Sequence, residues 1–200
     1  MARRPPWRTS ASTALLVASA ARAVLAHEGG GTAAGFAAGF LHPLSGLDHV
    51  VAMIAVGLWG AQLGPPALWL LPVTFPLTMA MGGFLGLVGV ALPGVEIGIA
   101  ASAILLGLMV ALEARPPLPA AAFLVAIFAL FHGHAHGTEL PPGESGLGYS
   151  VGFVVATGLL HGAGIAIGLV HRFRAGRASL RVAGTAVLGA GVFFLWRTFE

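Results

Sequence analysis

The chain has 200 residues, of which 57% are apolar and 8% are charged, whereas an ordinary soluble domain has roughly 25% charged residues. So few charges cannot cover that much apolar surface, which excludes an ordinary soluble domain and indicates that lipid is the solvent. There is no cysteine, which excludes disulfides and thiolate metal sites. The net charge is +3, but the arginines lie at the chain ends and in loops. They do not form a basic face with interleaved aromatic residues, so the charge does not indicate nucleic-acid binding.

The first 26 residues are typical of a signal peptide. Three arginines within the first eight residues precede a short apolar stretch at residues 11–21, and small residues lead up to Ala26. We predict cleavage after Ala26, so that His27 begins the mature domain of residues 27–200. The alternative is an uncleaved first membrane helix, which Arg22 makes the weaker interpretation.

Six further apolar segments are each long enough, at about 20 residues, to cross the hydrocarbon core. Proline, glycine and arginine separate them. The sequence therefore predicts an all-α, polytopic fold of six transmembrane helices after the signal peptide, at about residues 44–63, 67–90, 95–112, 118–136, 147–170 and 180–196. Pro72 and Pro76 lie inside the second segment, where they shape the helix or form a hinge; we favour the first.

Arginine placement predicts the orientation, because cytoplasmic loops are enriched in basic residues. Arg115 and the arginines of residues 172–181 lie in two loops on one side of the predicted topology. Glu96, Glu139 and Glu144 lie in loops on the other side. We therefore expect a bacterial cytoplasmic-membrane protein whose mature amino terminus is outside.

Ionisable residues inside a membrane are costly, so their grouping points to function. One group occupies residues 42–49, at the start of the first segment, and the second occupies residues 131–139, at the end of the fourth. A lone histidine, His161, lies inside the fifth segment. Imidazole and carboxylate ligands without sulfur suit nickel, cobalt, zinc or copper, whereas calcium and magnesium prefer oxygen ligands.

The spacing of the second group predicts which side chains share a helix face. His132, His136 and Glu139 follow at i, i+4 and i+7 and so lie on one stripe if the helix continues to Glu139. His134 points the other way, and would need a helix break at the neighbouring glycines to join them. Both groups fall on the outer side of the predicted topology, which indicates a capture site there and a deeper station at His161.

Several of these polar residues also fit purely structural roles. Ser45 and Asp48 fit a helix-capping pattern, Ser-x-x-Asp. His161 has the alternative of a hydrogen bond to Thr157, one turn back. His171, among the arginines, is most simply a solvated side chain.

At these motifs the chain resembles the HupE/UreJ family of nickel permeases. The matching residues are His42-Pro43, Gly46, Asp48-His49, Ala52-Met53, Val56-Gly57-Leu58-Trp59, Phe131-His132-Gly133, Ala135-His136-Gly137, Glu139, Gly152-Phe153, Ala156-Thr157, Leu160-His161 and Gly164. The resemblance implies a secondary transporter for nickel, with cobalt as the alternative ion, that supplies hydrogenase or urease assembly. The metal-associated positions that it implies are His42, Asp48, His49, His132, His136 and Glu139, and we add His134 and His161 from the clusters.

We therefore expect a permease, with no catalytic residue and no resident cofactor, whose partners are a divalent transition-metal ion and the lipid bilayer. The sequence has no phosphate-binding loop and no lysine, which excludes ATP hydrolysis by that route. A membrane-embedded metal-dependent enzyme and a metal-binding sensor are the alternatives. Ser145 is not predicted to be the nucleophile of a serine hydrolase, because it lacks the strand-turn-helix setting that such a serine occupies. Homo-oligomerisation is left open.

Overall fold

The computed structural model describes residues 32–139 and 145–200. The predicted signal peptide and its cleavage after Ala26 lie outside the described residues. Regular structure in the described ranges is helical throughout, which confirms the all-α prediction. The helices are α1 Thr32–Ser45, α2 Leu47–Leu63, α3 Ala67–Leu87, α4 Val95–Ala111, α5 Leu118–Thr138, α6 Gly146–Gly168, a 3-10 turn Leu169–Arg172, and α7 Arg174–Arg197.

Two predicted boundaries are wrong. The first segment was predicted to begin at residue 44, but Gly46 divides it: α1, which was not predicted as a helix, ends at Ser45 and α2 begins at Leu47. The axes of α1 and α2 meet at an angle of 82°. The last helix begins at Arg174, not at residue 180, so Arg174 and Arg177 lie on α7 and not in a loop.

The length and composition of the helices make this a multi-pass membrane protein. Four helical segments are long and apolar enough to cross a bilayer: α3, α5, α6 with its 3-10 continuation, and α7. The bent pair α1–α2 passes the same test as one broken span, and α4 is a shorter apolar helix of 17 residues. Large apolar side chains such as Leu77, Phe123 and Val182 cover the outer surface, where lipid solvates them.

Glycine lets the helices approach at backbone distance. A Cβ on Gly133 of α5 would lie 1.9 Å from the carbonyl oxygen of Met79 on α3, and one on Gly82 of α3 would lie 2.2 Å from the carbonyl oxygen of Leu130. Any side chain at these positions would force the two helices apart. Helix α5 is continuous, so the break that His134 would need to join the stripe of His132 and His136 is absent, and the glycines of α5 form the contact with α3 instead.

The central helix is α2, which is buried along most of its length from Ala52 to Gln62. The indole Nε1 of Trp59 donates to the carbonyl of Ala114 at 2.9 Å, and Nε2 of Gln62 donates to the carbonyl of Val110 at 3.1 Å. These bonds fix the end of α2 against the end of α4. The start of α2, where the first histidine motif lies, is thereby held at the opposite end of the molecule.

The two ends of the bundle differ in chemistry. The histidine end is formed by the end of α1, the start of α2, the ends of α3 and α5, and the starts of α4 and α6. The arginine end is formed by the turn that carries Arg115 and by the start of α7, where Arg181 donates from Nε to the carbonyl of Ala111 at 3.2 Å.

Candidate metal site

The bend at Gly46 shapes the histidine end. It leaves His42 on the last turn of α1 and places Asp48 and His49 on the first turn of α2. A Cβ on Gly46 would lie 2.8 Å from Oδ1 of Asp48 and 3.0 Å from Nδ1 of His49. A side chain at residue 46 would therefore displace the Asp48 carboxylate and the His49 ring.

The alternative capping role fails for Ser45, whereas the Asp48 carboxylate does accept from a backbone N–H in the first turn of α2. The Ser45 hydroxyl donates to the carbonyl of His42 at 2.6 Å, and the residue before α2 is Gly46, which has no side chain to cap the helix. Oδ1 of Asp48 instead accepts from both the backbone N–H and the ring Nδ1 of His49, each at 2.8 Å. Asp48 therefore serves the imidazole beside it.

This bond fixes the tautomer of His49. Because Nδ1 donates its proton to Asp48, the lone pair of the neutral ring is on Nε2. Nε2 is buried and has no hydrogen-bond partner among the described residues. An imidazole with one nitrogen bonded to a carboxylate and the other free has the usual arrangement of a histidine that binds a metal.

His132 has an equivalent arrangement with a serine. The hydroxyl of Ser102 on α4 donates to the carbonyl of Ile99 at 2.6 Å, so its oxygen accepts from Nε2 of His132 at 2.8 Å. The lone pair of His132 is then on Nδ1, which is buried and unpaired in the described part of the chain. Both central histidines thus present a free lone pair inside the protein.

The two histidine motifs lie in contact. The ring centre of His49 is 4.6 Å from that of His132 and 4.3 Å from that of His136, and His136 is 4.7 Å from His42. These four residues, His42, His49, His132 and His136, form a continuous row that we call the histidine row. Both ring nitrogens of His136 are buried without a partner in residues 32–139 and 145–200.

The outer end of the row has a carboxylate. Nε2 of His42 lies 3.1 Å from Oε2 of Glu139, and one ligand atom from each of His42, His136 and Glu139 falls within 4.8 Å of the others. Two ligands on one ion with bonds of about 2.1 Å are separated by roughly 3–3.5 Å. The His42–Glu139 pair already has that separation, and small rotations would bring in His136.

Aromatic side chains enclose the row. The ring centre of Phe153 on α6 lies 4.3 Å from that of His136, and Tyr149 lies 5.7 Å from His42. His136, Tyr149 and Phe153 also line a largely apolar cleft of about 380 Å³ between α3, α5 and α6. Phe75 of α3 contacts the other end of the row, 5.6 Å from His132.

Two candidate histidines lie outside the histidine row. Nε2 of His134 is 2.7 Å from the carbonyl of Val90, in the turn after α3, as its opposite helix face predicted. His161 of α6 is buried, and its ring centre lies 5.3 Å from that of Phe75, which also contacts His132. The alternative role for His161, a hydrogen bond to Thr157, is not formed, since neither side chain has a partner among the described residues.

Comparison with known proteins identifies the family. The family model described as HupE / UreJ protein matches residues 14–194. The chain belongs to the HupE/UreJ family. It is also similar to a protein named Protein HupE from Rhizobium leguminosarum bv. viciae, with 50% identity over 161 residues, which are 80% of this chain and 84% of the relative. No solved structure matches the chain.

Several residues around the histidine row of this HupE/UreJ protein have only weak signals in the sequence. Ser102 is a single hydroxyl in an apolar helix, and only its isolation there could have drawn attention to it. Tyr149 is the one tyrosine of the chain. Phe75 and Phe153 resemble ordinary apolar helix residues, so their contacts with histidine emerge only from the fold.

Proposed function

We propose that this HupE/UreJ protein is a permease that takes up Ni²⁺, with Co²⁺ as the alternative ion, across the bacterial cytoplasmic membrane. The ion is cargo, destined for hydrogenase or urease maturation. The observation that carries the proposal is the histidine row: imidazoles from three helices meet, three of the four are buried, and bonds to Asp48 and Ser102 set the free nitrogens of His49 and His132.

The proposed topology has six spans. The pair α1–α2 forms the first, as a broken span, and α4 forms the third with a length of about 26 Å from its 17 residues. The arginine end faces the cytoplasm and the histidine end faces outward, after removal of a signal peptide. A broken span is expected at an ion site, because irregular backbone inside a membrane is tolerated where it lines a cavity or is buried in protein.

The histidine row supplies a route for a partly dehydrated ion. Glu139 and His42 form the exposed mouth, where the carboxylate attracts a cation; the side chain of Glu139 is 55% exposed. His136, His49 and His132 then offer nitrogens in turn. Several adjacent sites of moderate strength favour passage over trapping, because each step exchanges one imidazole for the next.

Beyond the row, the ring of Phe75 contacts both His132 and His161. We place His161 as the deeper station and Phe75 as the barrier that the ion must pass. A membrane potential of about 100 mV, negative inside, favours inward movement of a divalent cation by ~4.6 kcal/mol, twice the value for one charge. That driving force makes uptake favourable without a nucleotide site.

The donor set supports a transition metal over the abundant cations outside the cell. Neutral imidazole nitrogen binds nickel and cobalt well, whereas Mg²⁺ and Ca²⁺ require mostly oxygen. The row has four imidazoles and a single carboxylate at its mouth, and the second carboxylate, Asp48, is engaged with the ring of His49. We assign the roles of His42, Asp48, His49, His132, His136 and Glu139 on this basis.

The test is uptake of radioactive nickel by cells that produce the protein. We expect His49→Ala and His132→Ala to abolish accumulation while the amount of protein in the membrane stays normal, because each removes a nitrogen from the centre of the row. His171→Ala, near the arginine end, is the matched control and should accumulate nickel normally. Unchanged uptake in both row variants would overturn the proposal.

Competition and turnover distinguish the alternatives. Excess Co²⁺ should reduce nickel uptake, and Mg²⁺ should not, since the row is made of imidazole nitrogen. A metal-binding sensor would bind nickel in purified form without moving it into vesicles. A metalloenzyme would bind it and convert a substrate without accumulation.

A further inference from the structure

The arginine end holds a second concave site, separate from the histidine row. A cavity of about 240 Å³ lies between the end of α4 and the start of α7, and it is lined by Glu113, Arg174, Arg177, Ala178 and Arg181. We propose that this cavity, the arginine pocket, binds the phosphate of an anionic phospholipid headgroup. The proposal does not depend on the function of the histidine row.

The spacing of the arginines supports an anionic occupant. Arg174, Arg177 and Arg181 follow at i, i+3 and i+7, so they share one face of α7. Like charges at such spacing repel one another and weaken a helix. Glu113 offsets one of the three charges, which leaves a net charge of +2 (three minus one) in the pocket. A bound phosphate would supply the missing negative charge.

The guanidinium groups are free to serve as donors. None of the three forms an ion pair in the described ranges of the chain, and only Arg181 makes a hydrogen bond there, from Nε to the carbonyl of Ala111 at 3.2 Å. Guanidinium binds phosphate oxygens in a bidentate manner, which makes arginine well suited to a headgroup. Ala178 lies between the arginines, and its small side chain leaves the pocket open.

The surroundings favour a lipid over a free phosphate ion. Large apolar side chains flank the charged ones along the chain: Leu112 is 60% exposed beside Glu113, Phe173 is 69% exposed beside Arg174, and Val182 is 71% exposed beside Arg181. A soluble anion gains nothing from such neighbours. A phospholipid places its phosphate among the arginines and its acyl chains against the apolar side chains, as in basic pockets between membrane helices.

The experiment measures the thermal unfolding temperature and lipid retention of the full-length protein purified in neutral detergent. Phosphatidylglycerol, phosphatidylcholine with the same acyl chains, and inorganic phosphate are added separately, and retained lipid is counted by native mass spectrometry. We expect phosphatidylglycerol alone to raise the unfolding temperature. Equal effects of phosphatidylcholine would overturn the proposal, and so would an effect of inorganic phosphate alone, which would make this a soluble-anion site.

Substitutions test whether phosphatidylglycerol is retained at the arginine pocket. Arg174→Gln with Arg177→Gln should weaken retention of phosphatidylglycerol by roughly 30-fold, since each basic side chain near an anionic surface contributes a factor of about five. Arg197→Gln is the matched control, because Arg197 lies at the far end of α7, 3.6 Å from Glu200, and it should retain lipid as the wild type does.

A second pocket variant keeps the test valid if the double arginine variant misfolds. Ala178→Glu keeps every arginine but adds a carboxylate to the wall of the pocket, and it should also lose phosphatidylglycerol. Retention at the wild-type level in either pocket variant would refute the assignment.

Discussion

At the scale of single residues, the two central histidines depend on partners that fix their orientation. Asp48 accepts from Nδ1 of His49, and Ser102 accepts from Nε2 of His132. In each case the bond decides which nitrogen carries the lone pair and where it points. The charged partner also favours the ion electrostatically, whereas the serine acts through orientation alone.

Ser102 therefore allows a test of orientation without a change of charge. We expect Ser102→Ala to raise the nickel concentration needed for half-maximal uptake by roughly 10- to 100-fold, the usual cost of losing a partner of a metal-binding histidine. The measurement is radioactive nickel uptake over a range of concentrations. Ser150→Ala is the control, since Ser150 is exposed on α6 and bonds only to the carbonyl of Gly146. Identical uptake curves for the two variants would show that Ser102 does not position His132.

Residue types alone predicted much of the candidate site. The motifs at residues 42–49 and 131–139 pointed to six positions, and the structure places five of them, His42, His49, His132, His136 and Glu139, in direct contact along one row or at its mouth. Their role as ligands stays a prediction. Ser102 was missed because a lone serine in an apolar helix has the same pattern whether it bonds to a histidine or only to its own backbone.

At the scale of helices, the bend at Gly46 joins both motifs. Without it, His42 and His49 would lie seven residues apart on one helix, about 10 Å along its axis. With it, they lie on two helices that meet at 82°, and both contact His136. The bend therefore converts a linear motif into two sides of one site.

Gly46→Ala tests this role of the bend. The added Cβ would lie 2.8 Å from Oδ1 of Asp48 and 3.0 Å from Nδ1 of His49, so the Asp48–His49 pair must shift from its present position. We expect nickel uptake to fall at least tenfold while the protein remains in the membrane. Gly158→Ala on α6 is the control, because its Cβ would meet no atom within 4 Å. Normal uptake by Gly46→Ala, measured beside this control, would contradict the role of the bend.

Helix boundaries could be predicted from the sequence where proline residues interrupt the chain. The predicted segment at 67–90 corresponds to Ala67–Leu87, and that at 118–136 to Leu118–Thr138, since proline pairs precede both. Helix α1 was missed because glycine and Pro43 weaken its local helical pattern. Its glycines instead allow contact with α6: a Cβ on Gly39 would lie 1.9 Å from the carbonyl oxygen of Tyr149. Such a contact between distant segments leaves no periodic pattern in the sequence.

At the scale of the whole molecule, histidine and arginine are separated to opposite ends of the bundle. Imidazoles and the mouth carboxylate gather where α1, α2 and α5 meet, and the arginines gather at the start of α7. This polarity fits the proposed inward route for a cation: the carboxylate at one end attracts the cation, and basic side chains at the other end favour one orientation of the protein in the membrane. The absolute sidedness is a prediction from the arginines.

The absence of cysteine makes sidedness directly measurable, because each introduced thiol is the only one in the chain. Ala91→Cys places a thiol on the exposed turn between α3 and α4 at the histidine end, and Ser179→Cys places one on the exposed face of α7 at the arginine end. We expect a membrane-impermeant thiol reagent to label Ala91→Cys in intact cells, and Ser179→Cys only after the membrane is opened. The reverse pattern would place the histidine row on the cytoplasmic side, where the mouth at Glu139 would serve export of the ion instead of uptake.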